Sequence, residues 1–348
     1  MDFTFTEEQE MMAEVARALL AETCASAAFR ALIDRGETFD PARWARLVEL
    51  GLAGVLVPEA AGGLGLAEAD FVRIATACGY HLLPEPLTDA AGVVAPLLAA
   101  TGQEAVLAEM LSGAGLTVWA DAGLVVAADR AAHLLLTAPD GGLHLLPAGA
   151  AEPTRQAHVD PLLGLFSVTA PLSAETLIAD PGTAAPLLAA ARDRGALWAA
   201  AEMLGVAQRA IDMAVAYAGE RKQFGKPIGS YQAIKHHLAS AQVKVEFARP
   251  VVHAAAAGLP GGGVFAAARV SHALLAAGEA VDFAARTALQ VHGAMGYSWE
   301  VDVHFCLKRA LWLTHARGGP AEHRERVAAR AFGLPLGPDH LFPEEAHA

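Results

Sequence analysis

The feature that most constrains this chain is the order in which two kinds of pattern occur. From about Ala184 nearly to its end, apolar residues recur at helical spacing, and most of the stretch before residue 112 does the same. Between Gly115 and about Asp180 the pattern changes. Short apolar runs (LTVWAD, GLVVAAD, HLLLTA, GLHLLPA and FSVTAPL) are separated by Gly, Pro and Asp, which is how strands read. Helices, then a block of strands, then helices again are segregated elements. They give an α+β chain rather than an alternating one with a parallel sheet. The expected fold is mainly α with a small β insert. Its domains are an N-terminal helical domain over 1–114, a small β domain over 115–182, and a C-terminal helical bundle over 183–348.

Local signals place the elements. Thr6 and Gln9 form a capping box with Glu7 and Glu8 in the first turn, and a helix is expected from there to about Ile33. Asp40-Pro41 starts another, which carries Trp44, Leu47 and Val48 and stops at Gly51. GLAGVLVPEAAGGLGLAEADF, residues 51–71, reads as a loop between helices. The long C-terminal helices are expected over 184–219, 230–257, 263–292 and 300–315, with a short one over 320–332 and a loop at LPGGG, 259–263. The tail GPDHLFPEEAHA is expected to be loose.

Composition narrows the class. With 54% hydrophobic residues the chain is not disordered, and with 6% aromatics and much Ala and Leu it favours helix. A formal net charge of −13 makes it a poor ligand for nucleic acid or an anionic membrane, although a local basic patch can still hold a phosphate. Cys24, Cys78 and Cys306 lie far apart without ligand spacing, which suits reduced thiols and a cytoplasmic location. MDFTFTEEQEMM lacks the basic and apolar regions of a secretory signal. The apolar runs fall short of a membrane span, and no metal-site pattern is present.

One segment resists this account. RKQFGKPIGSYQAIKHHLASAQ, residues 221–242, interrupts a helical region with cations, an aromatic, glycines and a proline. A turn needs only the glycine and the proline. Taken alone, RKQFG reads as a solvated charged turn with Phe224 in the core, and QVHGAMG as a helix stop with Gly293 and Gly296 as caps.

Three stretches together carry a resemblance to the acyl-CoA dehydrogenase family of flavoenzymes: GLAGVLVPEAAGGLGL, YAGERKQFGKPIGSYQAIKHHLA and LQVHGAMGYSWEVDVHFCLKRA. The resemblance covers most of the chain. It implies an N-terminal helical domain, a small β barrel and a C-terminal four-helix bundle, with FAD lying between domains and across a subunit interface. By motif position, Arg221 is implied to contact the FAD diphosphate, with Gln223 near it, Phe224 packed on the cofactor, Gln232 close by, and Gln290 and Gly293 on the adenosine side. The chemistry agrees: a guanidinium makes paired, charge-assisted bonds to phosphate oxygens, and an aromatic ring covers a flat ring system.

The chain departs from the family's pattern in three places. The family's usual base is a glutamate in a "YEGT"-like segment, and CLKRALWLTHARGGPAEHR puts Arg317 there, followed by Gly318 and Gly319. The alternative base position, early in the first C-terminal helix, falls near Gly195; Glu202 is the nearest acid after it. An arginine cannot accept the α-proton of a thioester. The family's "TEp.aGSD" loop is not visible between residues 85 and 125, and Ala294 replaces the second glycine of the "GG" pair. The catalytic base is therefore unknown. The pattern resembles the subunit of α2β2 acyl-CoA dehydrogenases, such as those acting on sterol side chains, that completes the FAD site of a base-bearing partner. Acyl-CoA as substrate, a homologous subunit as partner and an electron-transferring flavoprotein as electron acceptor are implied. The rival expectations are a self-sufficient homo-oligomer with a relocated base and a flavin-free structural paralogue.

Overall fold

The computed structural model describes residues 4–121 and 123–333, so the expected loose tail lies outside the described residues. The chain divides into two compact units, Met1–Trp198 and Ala199–Ala348.

In the first unit, α1 (Glu7–Thr23) opens on the expected capping box: Gln9 N–H donates to Thr6 Oγ1 and Thr6 N–H to Gln9 Oε1. The single helix expected to Ile33 is two. Cys24 ends α1, Ala25 is extended, and α2 (Ser26–Asp34) begins after it. Thr, Cys and Ser, weak helix formers, meet at that break. α3 (Pro41–Glu49) starts on Asp40, whose carboxylate accepts from the Ala42 and Arg43 N–H groups. Buried Arg43 makes a two-pronged contact with buried Glu85, both bonds 2.8 Å, and donates to the Thr23 carbonyl. That fork holds α3, the end of α1 and the segment before the next helices together. The 51–71 loop folds on itself: the Leu64, Gly65 and Leu66 N–H groups donate to the Gly54, Val57 and Val55 carbonyls.

α4 (Glu68–Tyr80) leads to an apolar helical stretch built of α5 (Leu87–Asp89), a π turn (Ala90–Val94) and α6 (Ala95–Ala100), followed by α7 (Glu104–Ser112). The strands are β1 (Thr117–Ala120), β2 (Val125–Val126), β3 (His133–Thr137), β4 (Leu143–Pro147), β5 (Glu152–Arg155), β6 (Leu165–Thr169) and β7 (Leu177–Ala179). They form two small sheets, ordered β1-β3-β4-β7 and β2-β6-β5; β1 and β3 are parallel and the other pairs antiparallel.

α8 (Pro181–Glu220) is capped by Asp180, whose carboxylate accepts from the Gly182 and Thr183 N–H groups and the Thr183 hydroxyl. Its first turns are tied within the first unit. Arg192 forks onto Asp121 at 2.6 and 2.7 Å, and Arg194 donates to Glu68 at 3.0 Å. Trp198, 1% exposed, donates its indole N–H to the Gly92 carbonyl in the π turn at 3.0 Å, and meets Phe71 edge-on.

The second unit continues α8 into a hairpin of β8 (Lys222–Gln223) and β9 (Lys226–Pro227). α9 (Gln232–Gly258), α10 (Gly263–His292), α11 (Val303–Leu313) and α12 (Pro320–Gly333) follow. α10 is its centre, packed on α9, α11 and α12 through a stripe that includes Ala266, Val270, Ala273, Ala277 and Ala280. By length and composition Gly263–Tyr297 is apolar enough to cross a membrane. Its contacts with three helices account for that character.

Candidate functional site

The site begins where α8 ends. Arg221 N–H donates to the Tyr217 carbonyl, continuing the helix by one bond, and the Arg221 carbonyl accepts from Ile228 N–H at 2.8 Å. Lys222 pairs with Pro227 and Gln223 with Lys226. Two residues, Phe224 and Gly225, close the turn with φ of +53° and +83°. Two positive-φ residues in a two-residue loop make a type I′ turn, the geometry whose twist suits a hairpin. Such a turn favours Asn-Gly. A bulky Phe at the first position is strained, and strain of this kind gathers at functional sites.

Phe224 is not in the core; its side chain is 94% exposed. The solvated, charged turn of the bland reading is found, but its placement of Phe224 in the core is overturned, because the ring stands at the exposed tip of a hairpin. The Arg221 side chain is exposed and has no ion pair among the described residues. Lys222 and Lys235 share that condition, whereas Lys226 Nζ sits 4.2 Å from the centroid of the Tyr231 ring. Gln223 is exposed, and its amide donates to the Lys222 carbonyl. Gln232 is the exposed first residue of α9, a helix whose N-cap, Tyr231, gives no side-chain acceptor to the first turn.

Gln290 and Gly293 sit at the other end of the second unit's sequence. Gln290 is exposed in the last turn of α10; Gly293 caps that helix at φ +58°, and its N–H donates to the Gln290 carbonyl. Ala294 is exposed beside it. What draws the two segments together is a pair of rings. Tyr217, one helical turn before Arg221, stacks on His292 with centroids 4.3 Å apart and planes 21° apart. His292 Nδ1–H donates to the Ala288 carbonyl at 2.8 Å, which fixes the ring's orientation. Burial pushes its pKa below the ordinary histidine value, so it stacks as the neutral ring. Tyr217 and His292 both lie within the family-like segments, with no role implied for either by motif position. The spacing of Tyr217 and Arg221 on one helix was visible, but their pairing across helices was not.

The turn aligned with the family's base carries Arg317, half-buried, and Gly318 at φ +91°. The Arg317 carbonyl accepts from Nε2–H of His323, a residue 0% exposed, and His323 Nδ1 faces the Ser271 hydroxyl at 3.1 Å. That arrangement fixes the backbone. Glu322, at the third position of α12, approaches the turn: its Oε2 lies 2.8 Å from where a Cβ on Gly318 would stand. A carboxylate in the first turn of a helix is favoured by the helix dipole. Gly195 is buried on α8 and Glu202 is half-buried further along it.

Two family models match the chain: "Acyl-CoA dehydrogenase, N-terminal domain" over residues 6–114 and "Acyl-CoA dehydrogenase, C-terminal domain" over residues 187–332. The chain belongs to the acyl-CoA dehydrogenase family. The hairpin, the Tyr217–His292 pair and the Arg317 turn all lie within the C-terminal domain match. Among curated acyl-CoA dehydrogenases, IpdE2 of Mycobacterium tuberculosis is 34% identical over 332 residues, covering 94% of this chain and 99% of that protein. Solved structures share the fold. Butyryl-CoA dehydrogenase from Megasphaera elsdenii superposes with a TM-score of 0.85 at 19% identity, over 95% of this chain and 100% of that one. The ChsE4-ChsE5 complex from Mycobacterium tuberculosis gives 0.82 at 23% identity, over 97% and 100%. The mainly α fold with a small β insert is thus that of acyl-CoA dehydrogenases.

Proposed function

We propose that this acyl-CoA dehydrogenase family chain completes the FAD site of a homologous, base-bearing partner subunit, in an assembly that oxidises an acyl-CoA to a 2,3-enoyl-CoA. The observation that carries the reading is Phe224: an aromatic ring 94% exposed on a strained turn, three residues from an exposed guanidinium with no ion pair among the described residues. Neither residue serves this chain's own packing, and each suits a flavin dinucleotide supplied from outside.

The residues present fit that group. Arg221 would pair with the diphosphate through its planar fork of donors. The uncapped first turn of α9, at Gln232, offers backbone N–H groups of the polarity a phosphate prefers. A Cβ at Gly225 or Gly293 would meet no atom within 4 Å, so the backbone at both places is open to close approach. Phe224 would cover part of the cofactor, and Gln223, Gln290 and Gly293 would border it. When bound, FAD supplies the hydride acceptor for the β-carbon of the acyl group.

What this chain does not supply is a base at the two positions the family uses. Arg317 holds a positive charge at one and Gly195 has no side chain at the other. The partner is proposed to bring the base; that a chain of this fold occurs in the two-component ChsE4-ChsE5 complex supports such an assembly. An electron-transferring flavoprotein is the proposed electron acceptor.

The test is co-expression with candidate base-bearing homologues, followed by an absorbance spectrum of the purified pair. A yellow complex that dehydrogenates acyl-CoA, and loses its flavin on Arg221→Ala, is expected. Dehydrogenation by the single chain, abolished by Glu202→Gln or Glu322→Gln, would overturn the reading in favour of a self-sufficient enzyme. A colourless complex with every partner would overturn it in favour of a flavin-free paralogue.

A further inference from the structure

The hairpin that follows the exposed Arg221 guanidinium and carries the exposed Phe224 ring is too small to hold its own shape. Each strand has two residues, and an isolated two-stranded hairpin is marginal in water even when longer. One of its two cross-strand pairs is Lys222 with Pro227. The Ile228 N–H bond to the Arg221 carbonyl makes 221/228 a hydrogen-bonded pair, so Lys222–Pro227 is a non-hydrogen-bonded pair that adds no ladder bond of its own. The turn between the strands adds the strain of Phe224. A hairpin this short, with a strained turn, needs an outside brace to keep one conformation.

Tyr231 stands where such a brace is required. Its hydroxyl donates to the Gln223 carbonyl at 3.2 Å, and its ring carries Lys226 Nζ at 4.2 Å from the centroid. Gln223 and Lys226 are each other's cross-strand partners and bracket the Phe224-Gly225 turn. One side chain therefore grips both strands at the turn. Its own backbone is fixed: Tyr231 N–H donates to the Ile228 carbonyl, and its carbonyl accepts from Lys235 N–H in α9.

We propose that Tyr231 is a positioning residue that clamps the 222–227 hairpin onto the start of α9, in the shape that meets a flavin diphosphate. The proposal rests on the flavin reading given above. A tyrosine is a poor choice for an N-cap, where Ser, Thr, Asp or Asn would satisfy the first turn. It makes no side-chain cap bond here. Its presence answers the hairpin's need rather than the helix's.

The experiment compares Tyr231→Phe, Tyr231→Ala and Arg221→Ala with the parent. Each full chain is purified in complex with the base-bearing partner, stripped of flavin, and titrated with FAD by fluorescence quenching. Amide hydrogen exchange of residues 222–228 is followed in the full chain alone. Tyr231→Phe removes one neutral hydrogen bond and keeps the ring. It is expected to weaken FAD binding by about three- to tenfold. Hairpin exchange should rise by a similar factor, with the melting temperature and the exchange of α9 and α10 unmoved. Tyr231→Ala should do more of both. If Arg221→Ala weakens FAD binding while both Tyr231 variants bind like the parent, the clamp is overturned and the flavin reading stands. If Arg221→Ala has no effect, the flavin reading falls and takes the clamp with it. If the Tyr231 variants lose FAD only together with a lowered melting temperature and faster exchange along α9, the residue is structural and the proposal is overturned.

Discussion

Phe224 sets the stability of its turn against its proposed use. Its positive φ is a conformation that Asn accepts and Phe resists. Phe224→Asn should therefore leave the chain equally stable or raise its stability by up to about 1 kcal/mol, while weakening flavin binding in the complex. Denaturant unfolding beside an FAD titration separates the two effects; a loss of stability would refute the strain argument. His292 carries a second prediction. Burial lowers its folded-state pKa below the ordinary 6.5, so the folded chain holds fewer protons there than the unfolded chain. Its neutral burial costs nothing above about pH 6.5. As pH falls from 6.5 through the lowered value, the unfolded state gains a proton that the folded state resists, and stability drops. His292→Phe keeps a ring against Tyr217 and removes the titration, so its stability should be flatter over that window. Chemical denaturation at a series of pH values measures the slope.

At the scale of elements, the sequence was most legible where one helix makes one amphipathic stripe. The long helices expected over 184–219, 230–257 and 263–292 are found at 181–220, 232–258 and 263–292. The five apolar runs of the middle region contain β1, β2, β3 and β4 and all of β6 but its first residue, Leu165. β5 was hidden because EPTR is exposed throughout and shows no alternation, and β7 because three residues are too few for a period. The π turn at Ala90–Val94 had no signal either; its reason is a tertiary one. Trp198 reaches the Gly92 carbonyl there, and a Cβ on Gly92 would lie 2.2 Å from the indole nitrogen. Gly92→Ala should cost about 1–3 kcal/mol or more, as overpacking combined with a broken buried hydrogen bond. Trp198→Leu in the same chain should recover part of that loss, a non-additivity that a double-mutant cycle detects. The buried fork of Arg43 and Glu85 makes a companion case. Glu85→Gln leaves the buried guanidinium only the Asp40 carboxylate at 3.9 Å as a countercharge, and about 3 kcal/mol of stability is expected to go with it.

For the molecule as a whole, the family was legible because its segments keep their order; the flavin roles proposed for Arg221 and Phe224 rest on motif position. What could not be read was how the segments meet. The Tyr217–His292 stack joins residues 75 apart in sequence, and the grip of Tyr231 depends on a turn type that a Phe-Gly pair does not announce. Nor did spacing reveal Glu322 beside the Gly318 turn, since helix α12 had to be placed before the approach existed. The exposed cations Arg221, Lys222 and Lys235 form a local exception on a chain of net charge −13. A diphosphate touching Arg221 would feel that cation well inside the roughly 8 Å over which physiological salt screens charge. Acidic side chains elsewhere on the surface would act on it from farther away. Raising ionic strength from near zero should mute the distant repulsion before it weakens the contact. Capture of the dinucleotide should then quicken with the first additions of salt, the reverse of what a basic nucleic-acid-binding surface does.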